Sequence, residues 1–171
     1  MQKTYLCIDL KTFYASVECV ERGLNPFSTN LVVADPTRGK GTICLAISPK
    51  MKMLGVKNRC RIFEISPSIK YIIAMPRMKK YIEYSANIYE IYLKFFSKDD
   101  IHVYSIDEAF MDATKYLNMY KLTPIELAQK IIKDIYNTYG ITATAGIGTN
   151  MYLAKIALDI TAKHNPSNIG Y

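Results

Sequence analysis

Polar and apolar residues alternate at the start of the chain. Over residues 4–10, Tyr5, Cys7 and Asp9 fall on one face and Leu6, Ile8 and Leu10 on the other, the period of a strand with one aliphatic side. Residues 101–106 and 109–113 read as two further strands, and 142–147 as a β-rich run. A short helix carrying Val17 and Val20 is expected over 13–21, closed by Gly23 and the Asn25-Pro26 turn. Residues 31–34 and 43–47 read as short paired strands around a loop at 35–41. Pro49 then opens a helix through Leu54 that Gly55 stops. In 78–96, Tyr81, Tyr84, Ile88, Tyr92 and Phe95 recur every three or four residues, so a long helix with an apolar stripe is expected. At that spacing the tyrosines read as a core face before they read as a platform for bases. Residues 124–139 form another helix, with Thr123 as N-cap, Gly140 as stop and Leu127, Ala128, Ile131, Ile132 and Ile135 inward. A last helix is expected over 150–163.

This order predicts an α+β fold, an antiparallel sheet with helices on one face and the other face open. The open face matters because acids stand where strands stop: Asp9 near the end of the first, Asp107 and Glu108 at the end of the strand at 101–106. Three gathered carboxylates repel one another unless cations sit among them. Hard oxygen ligands suit Mg²⁺, with Mn²⁺ as an alternative, and two such ions about 4 Å apart serve in-line attack at phosphorus. Adjacent residues of a continuous strand point to opposite faces, so Asp107 and Glu108 converge only at a strand end or a turn. Taken alone, an Asp-Glu pair at a strand end is more often a solvated turn.

Charge adds little by itself. The 171 residues carry +7 at pH 7, a balance that favours polyanionic partners without selecting one. Cys7, Cys19, Cys44 and Cys60 show no C-x-x-C spacing and have only His102 and His164 to join them, which argues against a zinc site and for reduced, buried thiols. No leader-like apolar region precedes the first strand and no span suits a membrane, so a cytoplasmic protein is expected. Gly146 and Gly148 lack the rest of a dinucleotide fingerprint and read as backbone clearance in a turn.

Three spaced words carry more. Ile8-Asp9-Leu10-Lys11-Thr12-Phe13-Tyr14-Ala15-Ser16-Val17-Glu18, Tyr104-Ser105-Ile106-Asp107-Glu108-Ala109 and Gly146-Ile147-Gly148-Thr149-Asn150-Met151-Tyr152-Leu153-Ala154-Lys155-Ile156-Ala157 occur in this order. Together they resemble the Y-family, or translesion, DNA polymerases, in particular the UmuC-related bacterial UV-protection branch, and the resemblance runs through essentially the whole chain. It implies error-prone, template-directed nucleotidyl transfer in DNA repair, the SOS response and mutagenesis, with primer-template DNA and deoxynucleoside triphosphates as partners. The implied palm is discontinuous, 1–22 and 76–171, with inserted fingers at 23–75. A thumb, a little finger and any sliding-clamp contact are expected to lie outside this chain.

The resemblance also implies roles. Asp9, Asp107 and Glu108 would be catalytic and, with Leu10, would form the metal set for two Mg²⁺. The steric gate that rejects ribose falls at Phe13 and Tyr14, assigned to Tyr14. Lys155 would meet the triphosphate or support the carboxylates. Lys11 replaces a frequent acid or Asn, and the fingers Tyr and Arg that grip the triphosphate in many members give way to Pro49 and Lys52. Ser48 and Lys52 are then the candidates there, although lysine lacks the bidentate fork of arginine. Two other readings remain: a catalytically inactive DNA-binding or regulatory paralogue, and, more weakly, a palm-like nucleotide cyclase.

Overall fold

A computed structural model describes residues 1–171. In chain order the elements are β1 (Tyr5–Leu10), α1 (Phe13–Glu21), β2 (Leu31–Val33), β3 (Ala46–Ile47), α2 (Pro49–Met53), β4 (Ile72–Ala74), α3 (Met78–Phe95), β5 (Ile101–Val103), β6 (Glu108–Asp112), α4 (Thr114–Tyr120), α5 (Pro124–Tyr139), β7 (Ala143–Gly148), α6 (Met151–Ile156) and β8 (Ile169–Gly170). They divide into two compact units, Met1–Leu10 with Glu83–Tyr171, and Lys11–Ile82.

The first unit is a five-stranded sheet ordered β5-β6-β1-β7-β8, antiparallel apart from the β7–β8 pair. Central β1 is predicted well by its alternation: Leu6, Ile8 and Leu10 are buried. Helix α5 forms where expected because Thr123 and Glu126 make a reciprocal capping box, Pro124 takes the first turn, and Gly140 closes the helix at φ 69°. Its Leu127, Ala128, Ile131 and Ile135 are fully buried. Helix α6 lies on the acid-bearing side of the sheet, with Ala154 and, beyond it, Leu158 packed on Cys7 and Phe110. That side is therefore covered over Cys7 and Phe110, while Asp9 at one end and Tyr5 at the other stay half-buried.

Two strand expectations change at the acids. The strand expected over 101–106 ends at Val103, because the N–H groups of Tyr104 and Ser105 both turn to the carbonyl of Glu108, at 3.0 Å each. Glu108 therefore begins β6, and only Asp107 lies in the turn. The last helix also departs from expectation. It is α-helical over Met151–Ile156, widens to a π turn over Ala157–Thr161 and tightens to a 3-10 turn over Ala162–His164.

The second unit is a small sheet ordered β3-β2-β4 over a core of Val32, Ala34, Cys44, Ile47, Met51, Cys60 and Ile65. It is broader than the 23–75 segment, since α1 packs on β2 and β3. The strand expected over 43–47 reduces to Ala46–Ile47 plus a lone bridge between Ile43 and Arg61.

Candidate active site

Register brings two of the acids face to face. In the antiparallel β1–β6 pair Asp9 stands opposite Glu108 and Cys7 opposite Phe110, so all four side chains share one face. The Leu10 N–H donates to the Asp107 carbonyl at 2.8 Å, which ties the turn to the end of β1. Ser105 Oγ donates to Asp107 Oδ1 at 2.8 Å and orients that carboxylate.

Electrostatics show how closely the group interacts. The Asp9 carboxyl is pushed up to about 7, first by burial and then by the Asp107 charge, with Lys163 and Lys155 opposing and Glu108 adding to the rise. Tyr92 is buried nearby, and its phenol is raised well above the usual range by burial and then by the charges of Asp9, Cys7 and Asp107. Glu108 is partnered differently: Cys7 Sγ donates to its Oε1 at 3.3 Å, and Lys155 Nζ makes a close ion pair with the same oxygen. Burial alone would lower the Lys155 pKa. Its bonds with Glu108 and Asp159 outweigh that and raise it, so this lysine stays charged.

The lysine is placed by the start of α6. Asn150 caps that helix, its Oδ1 accepting from the Leu153 N–H at 2.8 Å. Gly146 and Gly148 on β7 then let the helix backbone approach: a Cβ built on Gly146 would lie 2.0 Å from the Ala154 carbonyl oxygen, and one on Gly148 2.4 Å from the Ala154 nitrogen. Sequence reasoning anticipated clearance at these glycines, and the clearance accommodates a helix.

Lys163 was missed. Its Nζ lies 3.9 Å from Asp9 Oδ2 and 2.9 Å from Asp159 Oδ1, while Lys155 is 3.4 Å from Asp159 Oδ2. The signal available was the i, i+4 ladder of Lys155, Asp159 and Lys163 along one helix face. The π turn between them is not written in that spacing.

The donor chemistry fits a hard divalent cation, since Asp9 and Asp107 are mutually repelling carboxylates at a partly open strand end. The trio is not assembled as a cage: no three His, Cys, Asp or Glu side chains are gathered closely enough to hold an ion together. Glu108 is ion-paired with Lys155.

The remaining candidates belong to the second unit. Phe13 is buried, and the ring of Tyr14 stacks on Tyr81 with centroids 4.4 Å apart and planes at 14°. Lys52 is exposed on α2. Ser48 corrects the expectation of a triphosphate ligand. It is fully buried as the N-cap of α2, donating to the Thr29 carbonyl at 2.6 Å and accepting the N–H groups of Leu31 and Met51 at 3.3 Å each. A hydroxyl so occupied and shielded has nothing left for a phosphate.

Comparison with known proteins agrees with this architecture. The impB/mucB/samB family model matches residues 8–159. UvrX, a Bacillus subtilis (strain 168) protein named for UV-damage repair, is 40% identical over 98% of this chain and 39% of its own length. DNA polymerase IV 2 of the same organism is 38% identical over 98% of this chain and 40% of its length, so the chain spans less than half of these relatives. The crystal structure of DinB from Sulfolobus solfataricus superposes with a TM-score of 0.78 and 31% identity, over 98% of this chain and 47% of that one. An insertion ternary complex of Dbh DNA polymerase gives 0.79 and 31%, over 98% and 48%. No helix is long and apolar enough to cross a membrane. With the strand-end acids, the lysine helix and a family match over most of its length, the chain belongs to the impB/mucB/samB family, the UmuC-related branch of the Y-family DNA polymerases.

Proposed function

We propose that this chain is the catalytic part of an error-prone translesion DNA polymerase, with 1–22 and 76–171 as palm and 23–75 as fingers, adding deoxynucleotides to a primer 3′-hydroxyl opposite damaged template. The observation that carries the reading is the register of Asp9 opposite Glu108, with Asp107 close enough that its charge raises the Asp9 pKa. Asp9 and Asp107 would hold Mg²⁺, with the Leu10 backbone beside them and Glu108 joining once Lys155 releases it. Two bound ions supply the positive charge that in-line displacement at the α-phosphate requires. Ser105 keeps the Asp107 carboxylate aimed, and Cys7 does the same for Glu108. Lys155 and Lys163 offer cations to a triphosphate, Lys52 is the fingers candidate, and Tyr14 is the gate against a ribose 2′-hydroxyl.

One observation favours a second reading, an inactive paralogue that keeps the fold: Glu108 is ion-paired with Lys155 and the carboxylates are not gathered. Primer extension by the native full-length protein, beside its Asp107→Ala variant, decides between them. Extension that disappears in the variant supports the polymerase. Primer-template binding with no extension by either protein supports the paralogue.

A further inference from the structure

The most heavily partnered charge in the molecule lies outside the carboxylate centre. Glu18, on α1, has a fully buried side chain, and three residues converge on it. Arg77 donates from Nε to Oε1 at 2.9 Å and from Nη2 to Oε2 at 2.8 Å, a bidentate fork. Arg22 ion-pairs with Oε2 and also donates to the Glu18 carbonyl at 2.9 Å, and the Tyr81 hydroxyl donates to Oε1 at 2.8 Å. Burial by itself would raise the Glu18 pKa, but the bonds from Arg77, Arg22 and Tyr81 outweigh it and hold the carboxylate charged.

Such a cluster is a poor device for stability. Apolar residues of equal volume generally serve a core as well as or better than a buried ion pair, whereas the fixed directions of a fork impose one geometry. What this cluster fixes is Tyr81. That side chain is fully buried, with its hydroxyl tied to Glu18 and its ring stacked on Tyr14. Held at both ends, it has one place to be, and Tyr14 lies flat against it. Buried Phe13 is a second ring neighbour of Tyr14, with centroids 6.0 Å apart and planes tilted at 49°.

We propose that Glu18, clamped by Arg77 and Arg22, is a positioning residue that fixes Tyr81 and through it the Tyr14 ring, and so sets how strictly the sugar of the incoming nucleotide is read. The inference rests on Tyr14 being the gate. A gate that rejects one hydroxyl works by steric margin, and a displacement of about 1 Å is enough to change an outcome of this kind strongly. Loosening Tyr81 should therefore admit ribonucleotides before it harms use of deoxyribonucleotides.

The test compares Tyr81→Phe, which keeps the ring and removes the bond to Glu18, with Glu18→Gln and with Tyr14→Ala. For the native full-length protein, the readout is the ratio of kcat/KM for ribonucleotide to that for deoxyribonucleotide. The expected result is a rise of about fivefold or more in both Tyr81→Phe and Glu18→Gln, the factor that one lost hydrogen bond can supply, and a larger rise in Tyr14→Ala. A ratio unchanged in the first two but raised in Tyr14→Ala overturns the positioning role and leaves the gate standing. A ratio unchanged in Tyr14→Ala removes the gate, and the proposal with it. A readout independent of activity is the tyrosine ring NMR spectrum of the 171-residue chain. The Tyr14 signals should shift or broaden in Tyr81→Phe and Glu18→Gln, and unchanged Tyr14 signals in both overturn the proposal.

Discussion

Replacing Gly146 by alanine tests whether the lysine helix must ride so close to the sheet. Gly146 stands opposite Cys7 in the β1–β7 pair, on the face that α6 and the following turn cover. An added Cβ would lie 2.0 Å from the Ala154 oxygen, 2.5 Å from the Leu158 nitrogen and 2.8 Å from the Leu158 Cβ. Real Cβ contacts essentially never fall below 3.0 Å, so the Ala154 carbonyl must retreat by about 1 Å, and two of the three obstacles are backbone that cannot rotate away. Overpacking of this kind costs about 1–3 kcal/mol. The smaller freedom of alanine in the unfolded chain returns about 0.4–1 kcal/mol, which leaves a net loss of about 1.3 kcal/mol at the middle of both ranges. For a chain of 171 residues this corresponds to a fall in Tm of roughly 3–5 °C, measurable by circular dichroism. Gly41→Ala is the control, because nothing lies within 4 Å of a Cβ there and no positive φ is involved. Lys155 directly follows Ala154, so the same shift should also loosen its pair with Glu108. A Gly146→Ala protein melting within about 1 °C of the parent would refute the argument.

Other outcomes follow from single contacts. Ser48→Ala removes the acceptor for two buried N–H groups and a helix cap, so unfolding in urea should show a loss of about 1–3 kcal/mol; an unchanged midpoint would mean that water or a rearranged turn replaces the hydroxyl. The pH dependence of Glu18 has a definite sign. Its folded pKa is held below the ordinary value near 4.3, so its contribution to stability is complete above that value and fades as pH falls through the folded pKa. The Tm difference between the parent and Glu18→Gln should therefore shrink in acid, and a difference as large at pH 3 as at pH 7 would contradict the ion network.

Local signals made some elements plain. Residues 123–140 carry a capping box, a proline in the first turn and a glycine stop, and the helix falls within those bounds. The alternation of residues 5–10 depends only on side-chain period, and its aliphatic set is buried as expected. Features that depend on distant partners were less legible. Strand β4 is three residues long and exists through parallel pairing with β2, some forty positions away, so no local period announces it. Helix α4 lacks a side-chain cap and buries only Tyr116, which leaves little amphipathic pattern to find. At the site, the words containing Asp9 and Glu108 were evident, but their opposition is a matter of register. The sequence is silent about Glu18 and Arg77, 59 residues apart, because nothing near either one predicts a buried fork. Ser48 failed as a ligand for a related reason: the spacing that makes it a candidate also makes it the N-cap of a helix opened by Pro49.

The pairing of Lys155 with Glu108 leads to the most discriminating expectation for the carboxylate site. An ammonium that occupies Glu108 competes with any divalent cation drawing on the same oxygens. Their side chains are 32% and 10% exposed, so the charged hydrogen bond is worth less than the 1.5–3 kcal/mol of a fully buried one, about 1.4 kcal/mol after allowance for screening. Removing the ammonium should thus tighten metal binding about tenfold. The measurement is Mn²⁺ affinity of the 171-residue chain, read from the paramagnetic signal of free Mn²⁺, for the parent and Lys155→Met. Asp107→Asn shows whether the ion sits in this site, since binding there should be largely lost. Lys115→Met, which removes an equal charge from a pair with Asp100, controls for net charge and should leave the affinity within about twofold. If Lys155→Met leaves the affinity unchanged or weakens it, the lysine is not a competitor for the ion but a support for Glu108.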